Sequence, residues 1–173
     1  MKPLTISGKI WLIVDKNQKP IDNIDTYMIF HNSYLHITDV NEMGKYAFGN
    51  LEGWKDFPNK CQKGDIVVCG KNFGAGSSRQ HAVDCFAALG VSAIVAESFG
   101  AIYKRNAINS GMALIEAPEI FSTSIKTGDT VSINFETGLI KSNKTEFAAL
   151  PMSQVQRDIY LAGNLFVYGK NSA

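Results

Sequence analysis

Two short runs of apolar and β-branched residues, 65–70 (DIVVCG) and 92–97 (SAIVAE), flank a glycine-rich turn and one helical pattern. This unit limits the fold more than any other feature of the chain. Runs of that length and composition are buried strands. Between them, residues 71–76 (KNFGAG) form a loop and 77–90 read as a helix. Ala82, Cys85, Phe86 and Leu89 share its apolar face at i, i+3, i+4 and i+7, and Gly90 supplies the stop. A strand–helix–strand unit sets its two strands parallel. Residues 5–14 read as an earlier strand, 99–109 as a second helix ended by Gly111, and 112–116 as a further strand. Beyond Pro118 the pattern changes. Residues 129–135 alternate at period two and turn at 136–138 into 139–141, a hairpin or meander. A helix over 152–162 ends at Gly163. Residues 15–64, with Pro20 and Pro58, are mostly irregular apart from a short helix capped by Asp39 and running to Phe48. Long stretches of this kind in compact domains are often functional loops. The expected fold class is α/β: a single domain over residues 1–173, with a mixed sheet and flanking helices.

A chain of 173 residues fits one domain. Seventeen basic and sixteen acidic residues leave a net charge of +1. That excludes a global electrostatic grip on nucleic acid or an anionic membrane, and leaves room for a local basic pocket. No stretch approaches the roughly 18 continuous apolar residues of a membrane span. The apolar run before Asp15 is too short for a signal-peptide core, so a cytoplasmic location is expected. Cys61, Cys69 and Cys85 are odd in number and lack CxxC spacing. They are expected as buried free thiols, not as a disulfide framework or a self-contained zinc or iron–sulfur site.

The chemistry concentrates after Gly70. A loop at the C-terminal end of a buried strand is where open α/β sheets place ligands. Gly74 and Gly76 let the backbone approach a ligand. A helix starting at Ser77 would present free N–H groups and a positive dipole end to an anion. Arg79 adds a two-pronged donor suited to carboxylate or phosphate. The plain alternative is a tight turn with a serine N-cap and a solvated arginine. A phosphate-binding P-loop would need a Gly-Lys-Ser/Thr ending, which is absent. A dinucleotide fingerprint would need a third glycine where Arg79 stands, with Glu97 as the ribose-binding acid.

Three segments resemble one family. Residues 70–82 (GKNFGAGSSRQHA) and 96–111 (AESFGAIYKRNAINSG) resemble the two signatures of the swivelling domain of the aconitase superfamily. Residues 23–26 (NIDT) and 34–39 (YLHITD) resemble a third segment upstream. The likeness runs in order through most of residues 5–165. It is strongest to the stand-alone small subunits of 3-isopropylmalate dehydratase and homoaconitase. The resemblance implies dehydration and rehydration of a hydroxy di- or tricarboxylate. It also implies a [4Fe–4S] cluster held by a separate large subunit and none bound by this chain. By the same likeness Ser77 is the base that takes a proton from carbon and Arg79 holds a substrate carboxylate. Ser78, Gly76 and the loop amides assist that carboxylate. His36 and Ile37 fall in the loop that reads the variable arm of the substrate.

The departures fall upstream. The family usually reads Asp-Thr-Asp where this chain has Asp25-Thr26-Tyr27, and His31 replaces a common proline. An arginine near position 36 suits an extra carboxylate and apolar residues suit an isopropyl group; His36-Ile37 is neither. Gln80 replaces a frequent glutamate, which removes a local salt bridge. His81 reads as a packing residue and Arg105 as a loop tie. 3-Isopropylmalate is the favoured substrate. Homoaconitase, a methylmalate-type dehydratase and a non-catalytic paralogue are the alternatives.

Overall fold

The computed structural model describes residues 1–172. Its strands are β1 (Thr5–Leu12), β2 (Ile66–Cys69), β3 (Ala93–Ala96), β4 (Leu114–Glu116), β5 (Thr130–Asn134), β6 (Leu139–Lys141) and β7 (Glu146–Ala148). They form one mixed sheet in the order β4-β3-β2-β1-β5-β6-β7. β1 joins its two halves. Its N-terminal part pairs antiparallel with β5, from Thr5↔Asn134 to Lys9↔Thr130, and its C-terminal part pairs parallel with β2, from Ile10↔Ile66 to Leu12↔Val68. β2, β3 and β4 continue in parallel. The helices are α1 (Thr26–Ile29), α2 (Val40–Met43), α3 (Phe57–Lys60), α4 (His81–Leu89), α5 (Ala101–Asn109), α6 (Gln154–Ala162) and α7 (Leu165–Ser172).

Side chains alternate across a strand, so a sheet covered on both sides sorts each strand into two cores. Val67, Cys69, Ile94, Ala96 and Leu114 join one buried cluster. Ile66, Val68, Ala93, Val95 and Ile115 join the other. The first cluster is built on aromatics that α4 and the 24–61 segment bring together. Phe48 meets Phe57 and Phe86 edge-on at centroid distances of 5.3 and 5.1 Å, and Phe73 meets Tyr103 at 5.3 Å. Each such pair contributes about 0.5–1.5 kcal/mol beyond its buried area. Phe73 belongs to the glycine loop and is buried. The loop is thus pinned to the core at its midpoint.

The segment expected as irregular is mostly that, with structure where local caps allow it. Asp25 Oδ1 accepts from the Met28 amide at 2.8 Å and starts α1. Asp39 Oδ1 accepts from the Asn41 amide at 3.0 Å and starts α2, which ends at Met43 and passes into a 3-10 turn over Gly44–Tyr46. The short helices α1 and α3 within that segment, and beyond it the short edge strand β7 and the helix α7, were not expected. The helix read from Ser77 starts at His81, four residues later. The cause lies in the site itself. No helix of the described residues is long and apolar enough to cross a membrane.

Candidate functional site

The glycine loop is held from two sides. Phe73 and Ala75 form isolated bridges with Phe99 and Asp25, and the Gly74 amide donates to the Ile24 carbonyl at 2.8 Å. Buried Thr26 clamps the far end of the loop: its amide donates to the Ala75 carbonyl at 3.0 Å and its hydroxyl to the Ser77 carbonyl at 3.1 Å. This gives the Asp25-Thr26 pair its physical meaning. The aspartate starts α1 and the threonine ties that start to the loop.

The two glycines differ. At Gly74, with φ +80°, a Cβ would sit 2.2 Å from Cγ of buried Tyr103, so the close approach there is to the protein's own core. At Gly76, with φ +90°, the nearest atoms to a Cβ lie 3.9 Å away, so this glycine serves the left-handed turn and leaves space open.

From Gly76 to His81 the backbone amides donate to no other group of the described residues. The amides of Ala82 and Val83, which a helix start leaves free, donate instead to the Arg79 and Gln80 carbonyls, and Asp84 makes the first regular helical bond, to Gln80. The available donors therefore run from the loop through Gln80 to His81, the first residue of α4. Ser77, Ser78 and Gly76 are exposed. The N-cap position is Gln80, without a side-chain cap bond. Ser78 caps nothing there; its Oγ accepts from Asn106 Nδ2 at 2.9 Å. Asn106 lies on α5, and its carbonyl accepts from Ser110 Oγ at 2.9 Å. Ser110 Oγ in turn accepts from Gln80 Nε2 at 2.7 Å, and the same amide donates to Asp84. A chain of polar contacts so joins the two signature segments through Ser78.

Arg79 is not solvated. It is 9% exposed; Nη1 donates to the Phe30 carbonyl at 2.7 Å and Nη2 to Asn32 Oδ1 at 2.6 Å. The Tyr27 ring lies over it, 4.2 Å from Cζ to the centroid. These contacts hold residues 77–79 out of α4, which starts at His81 after the helical N-cap Gln80. Nε has no partner within the described residues, and no buried side-chain nitrogen lacks one, so that edge reaches solvent.

The loop of His36 and Ile37 is tethered to the same place. His81 Nε2 and the Ile37 carbonyl are 3.1 Å apart, and the His81 ring stacks at a tilt on Phe30 at 5.2 Å. The Ile37 side chain packs on the core at partial burial, whereas His36 is exposed. His31 Nδ1 accepts from the Ser33 amide at 3.1 Å and starts a 3-10 turn. Arg105, expected as a loop tie, is exposed and makes no hydrogen bond or ion pair within the described residues. Asn32 escaped the sequence reading. It lies 47 residues from its arginine and carries no motif.

The three cysteines do not make a ligand set. Cys69 and Cys85 are buried in the apolar core and Cys61 is partly buried. No group of three or more His, Cys, Asp or Glu among the described residues could hold a metal ion. Burial, and then the charge of Asp65, push the Cys61 thiol up to about 12; burial alone pushes Cys69 well up. For Cys85 burial comes first and Asp84 second, in the same direction. Thiolates are the reactive form. Alkylation with iodoacetamide at pH 8 is therefore expected to leave all three intact over hours in the folded chain and to modify them in denaturant. Rapid stoichiometric labelling of the folded chain would refute this.

Residues 15–120 match the aconitase C-terminal domain family. The 3-isopropylmalate dehydratase small subunit of Caldicellulosiruptor bescii is 43% identical over 157 residues, which cover 90% of this chain and 93% of that protein. The chain belongs to the aconitase C-terminal domain family. Within that family the small subunit of the same enzyme from Aliarcobacter butzleri is 39% identical over 96% of this chain and 95% of its own length. The crystal structure of 3-isopropylmalate dehydratase from Methanocaldococcus jannaschii superposes with a TM-score of 0.85 at 32% identity, covering 97% of this chain and 95% of that one. The mixed sheet with flanking helices is thus the aconitase C-terminal fold, and this family member is a 3-isopropylmalate dehydratase small-subunit homologue across nearly its whole length.

Proposed function

We propose that this chain forms the substrate-side half of a 3-isopropylmalate dehydratase, a hydro-lyase that is active only with a separate large subunit. The whole of residues 1–173 acts as one swivelling domain. The [4Fe–4S] cluster belongs to the large subunit. The observation that carries the reading is Arg79: a buried guanidinium, bonded only to neutral acceptors, beside an exposed loop rich in free amides. A buried cation without a counter-ion favours an anionic ligand. A hydroxy-dicarboxylate brings two carboxylates, and a planar fork suits one of them.

In this reading the free edge of Arg79, the amides around Gly76 and Ser78 bind one carboxylate. That orients the adjacent C–H toward Ser77. Ser77, as alkoxide, takes the proton from carbon while hydroxide leaves the neighbouring carbon. Hydroxide then adds to the carbon that lost the proton while Ser77 gives that proton to the carbon that lost the hydroxyl, so H and OH exchange positions. Serine is a very weak acid, so the alkoxide needs the arginine charge, the loop amides and exclusion of water. Closure against the large subunit supplies the last of these at a loop that is exposed on this chain alone. His36, exposed at the tethered loop, meets the variable arm of the substrate, with Ile37 packed behind it.

Arg79→Lys tests the assignment. Lysine keeps the charge and loses the fork. Hydrogen bonds to charged groups contribute about 1.5–3 kcal/mol, so kcat/KM for 3-isopropylmalate in the assembled enzyme is expected to fall about 10- to 100-fold. Both KM and kcat change, because the carboxylate contact also orients the reacting C–H. The loss of the Phe30 and Asn32 contacts also lowers Tm, which calorimetry checks separately. Unchanged KM and kcat in a folded, assembled variant would overturn the role of Arg79.

A further inference from the structure

Arg79 forms no ion pair within the described residues. Its three partners, the Tyr27 ring, the Phe30 carbonyl and the Asn32 side-chain oxygen, all come from residues 27–32. The two oxygens take one N–H from each terminal nitrogen of the guanidinium. A ring 4.2 Å from Cζ covers a face. An aromatic ring attracts a cation through its quadrupole but leaves the net charge whole. A carboxylate in that place would pair with the arginine and cancel that charge. Tyr27 remains 39% exposed, so it stands at the surface of the site and not within the core.

We propose that Tyr27 is a positioning residue acting through Arg79: its ring sets the plane of the guanidinium without neutralising it, so that the remaining edge meets a substrate carboxylate at full charge. The proposal rests on the reading of Arg79 as the group that holds that carboxylate. It makes Tyr27 a device for carboxylate affinity in this chain and not a drift away from function.

The test is steady-state kinetics on 3-isopropylmalate with the assembled enzyme, using Tyr27→Phe, Tyr27→Leu and Tyr27→Asp beside Arg79→Lys. Tyr27→Phe keeps the ring and is expected to hold KM within twofold of wild type. Tyr27→Leu removes the ring and is expected to raise KM about fivefold, within the range of an exposed to partly desolvated cation–π contact. Tyr27→Asp neutralises the arginine and is expected to raise KM more than Tyr27→Leu does. In all three, Tm and binding to the large subunit are expected to stay near wild type, which separates positioning from a general structural role. If Tyr27→Leu and Tyr27→Asp leave KM unchanged while Arg79→Lys raises it, the proposal is wrong and the role of Arg79 stands. A loss in Tyr27→Phe equal to that in Tyr27→Leu also overturns it, because the hydroxyl would then matter and not the ring. If Arg79→Lys is silent too, the underlying reading fails.

Discussion

Ser77→Ala is expected to leave the assembled enzyme with less than a hundredth of its wild-type turnover of 3-isopropylmalate. Removing a general base typically costs 10²–10⁴-fold. The change removes one exposed hydroxyl whose oxygen makes no hydrogen bond within the described residues, so folding and large-subunit binding have no reason to change. The clamp on this residue passes through its carbonyl, which Thr26 holds and which alanine retains. The loss therefore falls on kcat, with KM nearly constant, the signature of an interaction made in the transition state. Rapid-mixing kinetics with the reconstituted pair measures it. Retention of more than about a tenth of the turnover, a loss under 1.4 kcal/mol, would remove Ser77 from the role of base.

The second large effect is on stability. Gly74→Ala would place a methyl group 2.2 Å from Tyr103 Cγ and 2.4 Å from its Cβ, on a residue with φ +80°. Tyr103 cannot yield easily. It is 2% exposed, packs edge-on against Phe73, and donates its hydroxyl to the Ala82 carbonyl at 3.0 Å. Left-handed backbone costs an alanine about 1–2 kcal/mol, and overpacking a core typically about 1–3 kcal/mol. The sum is about 3 kcal/mol or more, a fall in Tm of about 10 °C for a domain of this size. Gly76→Ala provides the contrast, since it meets nothing closer than 3.9 Å and bears the backbone cost alone. Its fall should be less than half as large. Thermal unfolding of both variants decides it, and equal Tm values for the two would refute the packing argument.

Much of this fold was readable because its parallel strands announce themselves. Residues 66–69 and 93–96 are continuously apolar since they are buried on both faces, and no other element of this chain leaves that mark. β7 left no such mark, being three residues long with Glu146 exposed at an edge. α7 went unread because Leu165, Phe166 and Val167 lie exposed and sort into no buried face. The start of α4 was misplaced for a different reason. Ser77 and Ser78 have the local chemistry of caps, but the contacts that override it, Thr26 to Ser77 and Arg79 to Phe30 and Asn32, span 47–51 residues. Propensity is blind to such contacts. The same holds for Tyr27, which in sequence is only a departure from a family pattern and in space is the cover of the site arginine. Ser78 shows both sides: the motif singles it out, while its contact with Asn106, 28 residues away on the second signature, leaves no local sign.

The most direct test of the central claim is reconstitution. The chain, a 3-isopropylmalate dehydratase large subunit carrying its cluster, and their mixture are each assayed for conversion of 3-isopropylmalate, with homocitrate and methylmalates as competing substrates. The account predicts turnover in the mixture only, with 3-isopropylmalate preferred, and a colourless, iron-free, inactive chain on its own. Stoichiometric iron held by the isolated chain, turnover by it without the large subunit, or a mixture that binds tightly and yet converts none of these acids would contradict it.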